Sequence, residues 1–132
     1  MNHKHIATGV LVLSLAACRD KAAAGMELKA MPMLPAFRAH LDSVAQYPAM
    51  MRAAMPDHRS EVKELVDAMH SDMTMMGMHS DAAYEALADS VVEGSAALGT
   101  AGGADFNRQV ARHVDQLRRL AATYETKTAG IR

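Results

Sequence analysis

The chain has 132 residues, of which half are apolar and only 4% are aromatic. This length suits a single domain, and a composition dominated by Ala and Met, with few β-branched runs, favours a small all-α protein. The formal net charge of −1 excludes the basic excess that nucleic-acid binding usually needs, so no nucleic-acid partner is expected. Cys18 is the only cysteine, which excludes an intrachain disulfide and any Cys-x-x-Cys motif.

The first 18 residues, MNHKHIATGVLVLSLAAC, have the layout of a secretory signal. Lys4 and the free amine make the start positive, and an apolar run over 6–17 follows that is too short to span a membrane. The run ends in Leu-Ala-Ala immediately before Cys18. This ending resembles the lipobox of bacterial lipoproteins. The alternative is an ordinary signal peptide with a chance cysteine at this place.

The lipobox resemblance implies where the protein resides. It implies cleavage before Cys18 and acylation of this residue by chains such as palmitate, and several chains anchor stably because each buried CH₂ contributes about 0.8 kcal/mol. Arg19, next in the mature chain, resembles outer-membrane sorting more than inner-membrane retention. We therefore expect a lipid-anchored protein of the bacterial cell envelope, at the outer membrane and facing the periplasm.

Proline and glycine residues divide the first half of the chain into predicted helices. A helix is predicted over 35–47, followed by a short helical turn over 48–54 kinked against it, because proline disfavours helical conformation in the residue before it. Pro56 then precedes the longest predicted helix, which begins with Asp57 as a capping residue. Gly77 supplies its end, since glycine takes the left-handed conformation at a helix C-terminus without steric cost.

Each predicted helix has one apolar face at helical spacing. In the longest helix this face carries His58, Val62, Leu65, Met69, Met73 and Met76. The third helix runs from a cap at Ser80 to about Leu98, and Asp105 can cap the fourth. The fourth has the most regular seam, which carries Phe106, Val110, His113, Leu117, Leu120 and Tyr124.

Short connections between these helices predict an all-α, up-and-down four-helix bundle with a Pro-kinked first helix. The predicted organisation is a signal peptide over 1–17, the lipidated Cys18 with a tether over 18–33, the bundle over 34–125 and a frayed tail over 126–132.

Three histidines share one spacing relative to the apolar residues that follow them. His58-x₃-Val-x₂-Leu-x₃-Met matches His113-x₃-Leu-x₂-Leu-x₃-Tyr, and His40-x₃-Val-x₂-Tyr-x₃-Met has the same spacing. Shared helix periodicity is the preferred interpretation, and a true internal repeat is the alternative.

Methionine and histidine crowd together at the end of the longest predicted helix. The cluster consists of Met73, Met75, Met76, Met78, His70 and His79. Thioether sulfur is soft and neutral, so with imidazole it suits Cu(I) in an oxidising compartment. In residue type alone the cluster is similar to Met/His-rich periplasmic copper-binding proteins, which implies copper capture here, with His40 assisting. The alternative is structural, because Met73 and Met76 fall on the core face and Met78 fits the apolar contact of a helix cap.

His113, in the seam of the last helix, allows two further interpretations. It could hold a haem iron, as in b-type four-helix cytochromes, or it could be a core histidine bonded to a carboxylate such as Asp72 or Asp89. The Ala-rich faces favour the second, because they predict helices packed too closely for a porphyrin.

No catalytic motif is present in the sequence. The chain has no Gly-x-Ser-x-Gly motif and no Gly-rich loop that follows a strand, and its one cysteine serves the predicted anchor. We therefore expect no enzymatic activity. The expected function is a non-catalytic binding or assembly role at the membrane, with an envelope protein as a candidate partner, and copper binding is the alternative.

Overall fold

A computed structural model of the chain describes residues 26–78 and 81–131. The predicted signal peptide, Cys18, His79 and the predicted cap Ser80 therefore lie outside the described residues. The elements, in chain order, are a 3₁₀ turn (Met31–Met33), α1 (Leu34–Gln46), α2 (Pro48–Met75), α3 (Ala82–Leu98), α4 (Gly103–Thr128) and a closing 3₁₀ turn (Ala129–Ile131). No strand occurs in these two stretches, so the predicted all-α class is confirmed.

Side-chain contacts establish that neighbouring helices are antiparallel. On α1 and α4, Arg38 pairs with Glu125 at 2.5 Å, and Asp42 pairs at 2.6 Å with Arg118, which precedes Glu125 on α4. The same reversal relates α2 to α3. Here Arg59 of α2 donates to the carbonyl of Ser95 late in α3. His70, further along α2, faces Glu85 near the start of α3.

The two long helices, α2 and α4, lie on a diagonal of the bundle and run parallel. Near their first turns the guanidinium carbon of Arg52 lies 4.2 Å above the centre of the Phe106 ring. Near their other ends, the Tyr124 hydroxyl donates to Asp72 over 2.6 Å. Parallel diagonal helices with antiparallel neighbours make an up-and-down four-helix bundle, as predicted.

Helix α2 is longer than predicted because it continues through Pro56. The prediction of a separate turn over 48–54 is wrong. Met51 and Met55 are both buried on the face that also carries His58. Burying such side chains stabilises by about 1.5–3 kcal/mol each, which offsets the cost of about 3 kcal/mol for proline within a helix. The break from α1 is instead at Tyr47, the single residue between the two helices.

The ends of the helices agree with the sequence at some positions and differ at others. Gly77 has a positive φ of 73°, and the Met78 amide donates to the carbonyl of Met73 over 2.8 Å, so the predicted glycine cap is confirmed. The N-cap of α3 is Asp81, whose carboxylate accepts from the Tyr84 amide, so the helix is capped one residue later in the chain than predicted.

The fourth helix is longer at both ends than its sequence pattern predicts. It begins at Gly103, two residues before the predicted cap Asp105, and continues to Thr128. The predicted frayed tail from Thr126 is therefore wrong for the residues up to Ile131. Burial explains the extension, because the Thr128 side chain is enclosed and donates to the carbonyl of Tyr124.

The segment before α1 is docked on the bundle, so the predicted tether over 18–33 is too long at its C-terminal end. Leu28 and Ala30 are buried. Buried Asp72 of α2 accepts hydrogen bonds from the backbone amides of Lys29 and Ala30, each over 2.9 Å, and from the Tyr124 hydroxyl. We call this arrangement the Asp72 clamp. It fixes the chain that precedes α1 to the C-terminal ends of α2 and α4.

Candidate functional site: a row of buried histidines

Three histidines from three helices form a hydrogen-bonded row across the bundle. His40 Nε2 on α1 lies 3.1 Å from His58 Nδ1 on α2. His58 Nε2 lies 3.0 Å from His113 Nε2 on α4. The first two rings are stacked and the last two meet edge to face, with centroids 5.3 and 5.2 Å apart. We call this cluster the histidine row.

The order of the row follows from the topology. His58 and His113 occupy equivalent positions on the parallel helices α2 and α4, where their seams face each other across the core. His40 is on α1, which is antiparallel to both helices, and only 27% of its side chain is exposed. The contacts between their rings place the three histidines at one height in the bundle.

Burial keeps the inner two rings uncharged. It lowers the pKa of His113 to about 4, and for His58 burial, followed by the nearness of His113 and His40, also lowers the pKa to about 4. At neutral pH each ring therefore carries one proton and presents one lone pair. Because neutral His58 has one N–H and one lone pair, it donates to one neighbour and accepts from the other.

The inner end of the row has an unsatisfied polar atom. His113 Nδ1 is buried and has no hydrogen-bond partner in the described part of the chain, and the same is true of Gln109 Oε1. Both residues line one cleft of about 370 Å³ between α3 and α4, together with Ser90, Glu93, Gly94, Ala97, Arg112 and Gln116. Buried polar atoms are rarely left unpaired, so the cleft is the natural location for a compensating group.

Gly94 forms the part of this cleft that lies closest to the row. A Cβ at this position would lie 2.9 Å from His113 Nδ1 and 3.1 Å from Gln116 Oε1, which is closer than such atoms normally approach. Glycine within a helix costs about 1 kcal/mol relative to alanine. Its presence in α3 is explained by the space that the His113 ring needs.

The outer end of the row opens on a second cleft, between α1 and α2. This cleft has a volume of about 290 Å³ and is lined by His40 and by the carboxylate residues Glu61 and Glu64, among others. Glu61 Oε2 lies 3.9 Å from His40 Nε2, at the limit of an ion pair. The row therefore connects two clefts on opposite faces of the bundle.

The three rings do not converge on one point. His58 uses opposite sides of its ring for its two neighbours, so His40 and His113 lie on either side of it. Accordingly, residues 26–78 and 81–131 contain no group of three or more His, Cys, Asp or Glu side chains that could hold a metal ion. The ring nitrogens face each other in two separate pairs, and the Nε2 atoms of His58 and His113 form the fully buried pair.

The predicted Met/His cluster is spread over several environments. Met73 is fully buried in the core, Met75 is 44% exposed, and Met76 and Met78 are partly buried against the core. His70 is exposed and faces Glu85, with 3.3 Å between Nδ1 and Oε1. Met73 and Met75 thus point to opposite sides of α2, and His79 lies outside the described residues.

His113 is a core histidine, as one interpretation proposed, but its partner is not a carboxylate. Its Nε2 atom pairs with His58. Asp72 instead closes the clamp on the segment before α1, and Asp89 lies on the exposed side of α3. The shared spacing placed His58 and His113 at equivalent positions on their helices, but it did not show that the two rings meet.

No family model matches the chain, and neither the curated proteins nor the solved structures contain a significant match. Within the described residues, no helix is both long enough and apolar enough to cross a membrane. The geometry of the histidine row and of the Asp72 clamp therefore has to support any functional proposal.

Proposed function

We propose that this protein is a lipid-anchored lipoprotein of the bacterial envelope, with a non-catalytic binding or assembly role. The Leu-Ala-Ala-Cys ending at Cys18 supplies the anchor, in the orientation expected for the periplasmic side of the outer membrane. The observation that carries the proposal is this ending of the signal-like segment, and the Asp72 clamp adds that Lys29 and Ala30, which follow the proposed anchor in the chain, are fixed to the bundle.

The clamp supports a proposal for the end of the bundle that lies nearest to the anchor. From Cys18 to Leu28 the chain can span at most about 35 Å, even when fully extended. Leu28 is packed at the end of the bundle formed by the C-termini of α2 and α4. Exposed Met75 lies at this same end. On this proposal the anchor would attach at this end, and the corner at Tyr47 would lie at the opposite end of the bundle.

Labelling in cells tests the anchor. Radiolabelled palmitate should be incorporated into the wild-type protein, and the labelled protein should sediment with the membrane fraction. The Cys18→Ala variant should remain unlabelled and keep its leader. Asp67→Asn, an exposed change in α2, is the matched control and should label normally. A wild-type protein that takes up no label, or that matures without acylation, would refute the anchor.

Crosslinking tests the binding role. Photo-crosslinkers at exposed positions such as Met50 should recover a discrete envelope protein, in the same yield from independent preparations. Recovery of lipid alone would contradict an assembly role.

Copper capture by the helix-end cluster is the second function that the sequence predicts. The buried position of Met73 removes one sulfur from that set. The remaining candidates at the described surface are Met75, Met76, Met78 and His70. The histidine row offers a metal ion a more ordered pair of donors than this helix end does. The ring of His58 is held by hydrogen bonds to His40 on one side and to His113 on the other.

A further inference from the structure

We propose that the histidine row binds one monovalent copper ion between the Nε2 atoms of His58 and His113. The proposal rests on the binding role inferred above, but it does not depend on the lipid anchor. None of the residues that it uses belongs to the Met/His cluster at the end of α2.

The two nitrogens face one shared position, 3.0 Å apart. In the metal-free protein this position holds a single proton, donated by one ring to the other. When each ring instead carries its proton on Nδ1, both Nε2 lone pairs point at the shared position. Two facing lone pairs at this distance repel each other, and a cation between them removes the repulsion.

Only one proton has to move, from Nε2 to Nδ1 of the ring that donates it, and each ring then carries one Nδ1 proton that needs an acceptor. His58 Nδ1–H faces His40 Nε2 at 3.1 Å, which accepts it. His113 Nδ1 borders the α3–α4 cleft, which Gln109 also lines. Gln109 Oε1 does not bond to it in this structure, so rotation of the Gln109 side chain would be required to bring this acceptor to the proton. The change of tautomer thus leaves the two rings neutral. The only charge added to the core is that of the ion.

The number and the charge of the ligands select the ion. Zinc sites in proteins normally use four ligands, and a divalent ion in the core would need anionic partners to offset its desolvation. The row supplies two neutral nitrogens, and the nearest carboxylate, Glu61, touches only the outer ring. Cu(I) carries a single charge, binds imidazole, and is stable with two ligands in a line.

The structure also provides the space that such a site needs. Metal–imidazole bonds of about 2 Å place two opposed nitrogens about 4 Å apart, so the rings must separate by about 1 Å. The His113 ring borders the cleft of about 370 Å³, so the cleft is the side toward which the ring would have to move. An alanine at position 94 would oppose this movement, because its Cβ would already lie 2.9 Å from His113 Nδ1 before the ring moves.

His40 is a positioning residue in this site. By accepting from His58 Nδ1–H it fixes the tautomer in which Nε2 is the free donor. Partners of this kind typically change metal affinity by about 10- to 100-fold when they are removed. A glutamine in place of His40 keeps an acceptor at the end of the side chain, so His40→Gln should recover affinity that His40→Ala loses.

Titration of the full-length protein in detergent with Ag(I), a redox-inert substitute for Cu(I), tests the proposal. Competition with a chelator of known affinity should show one ion bound per chain, and Cu(I) under reducing conditions should behave alike. His113→Ala should lose this uptake. Gly94→Ala, which removes no ligand, should weaken it by about tenfold, as expected for an overpacked contact. His70→Ala and Met75→Leu are the matched controls and should bind as the wild type does.

X-ray absorption on the copper-loaded wild-type protein tests the same site without any variant, so its result does not depend on whether a variant folds. It should show two imidazole nitrogens and no sulfur. A sulfur shell, Zn(II) bound more tightly than Cu(I), full affinity in Gly94→Ala, or no uptake by the wild type would each overturn the proposal. A wild-type protein that binds the metal ion but takes up no palmitate would refute the lipid anchor alone. Failure of the metal site and failure of the anchor are therefore distinguishable.

Discussion

Acidification should destabilise the metal-free protein through the two inner histidines. In the unfolded chain each ring titrates near its ordinary pKa of 6.5, whereas in the fold the pKa of His58 and of His113 is about 4. Between these values the unfolded chain binds more protons than the folded one. The contribution of the two neutral rings to the free energy of unfolding is therefore fully present above about pH 6.5. It decreases as the pH drops and is lost below about pH 4.

The size of this loss follows from the two pKa values. The gap between 6.5 and about 4 corresponds to about 3 kcal/mol per ring, and at pH 5 about 2 kcal/mol per ring is already lost. For the pair this is about 4 kcal/mol, against a total of about 5–15 kcal/mol for a typical domain. Acidification to pH 5 should therefore remove a substantial share of the stability.

Urea unfolding followed by circular dichroism, at pH 7.5 and pH 5 with a chelator present, measures the loss. The double variant His58→Leu/His113→Leu replaces both rings by neutral side chains of similar size and should lose most of the pH dependence. His70→Ala, at an exposed histidine, should retain it. A wild-type loss below about 1 kcal/mol, or an unchanged loss in the double leucine variant, would refute the reasoning.

Three further predictions concern the fold. Asp72→Asn should lower the free energy of unfolding by about 2–3 kcal/mol in urea titrations, because it leaves buried donors of the clamp unsatisfied, and an equal effect from exposed Asp67→Asn would contradict this. Gly77→Ala should cost about 1 kcal/mol in thermal unfolding, since alanine at a φ of 73° is strained, and an unchanged midpoint would exclude that strain. Met73→Ala should cost about 2–5 kcal/mol and Met75→Ala less than about 0.5, so equal losses would show that the two side chains are not in different environments.

The fold was predictable because each helix carries its own periodic pattern. The seam through Phe106 and Tyr124 required no tertiary information, and neither did the stop at Gly77. The continuation of α2 through Pro56 depended on tertiary burial of Met51 and Met55, which local proline chemistry does not contain. The extension of α4 had the same origin in the burial of Thr128.

The candidate site was harder to predict, because it is made by the heights at which separate helices meet. The sequence placed His58 and His113 in equivalent positions on their seams, but spacing along one helix does not show which residue lies opposite on another. A carboxylate partner for His113 was the reasonable expectation from frequency alone, and it was wrong. The decisive fact is the parallel diagonal arrangement of α2 and α4.

The Asp72 clamp also determines how the fold would respond to mechanical force. A pull on the chain that precedes Lys29 reaches Asp72 before it can unwind α1, because two backbone amides are held there side by side. The load then passes directly into α2, and through the hydroxyl of Tyr124 into α4. The two longest helices would share the strain, while the shorter helix next to the attachment point is shielded from it.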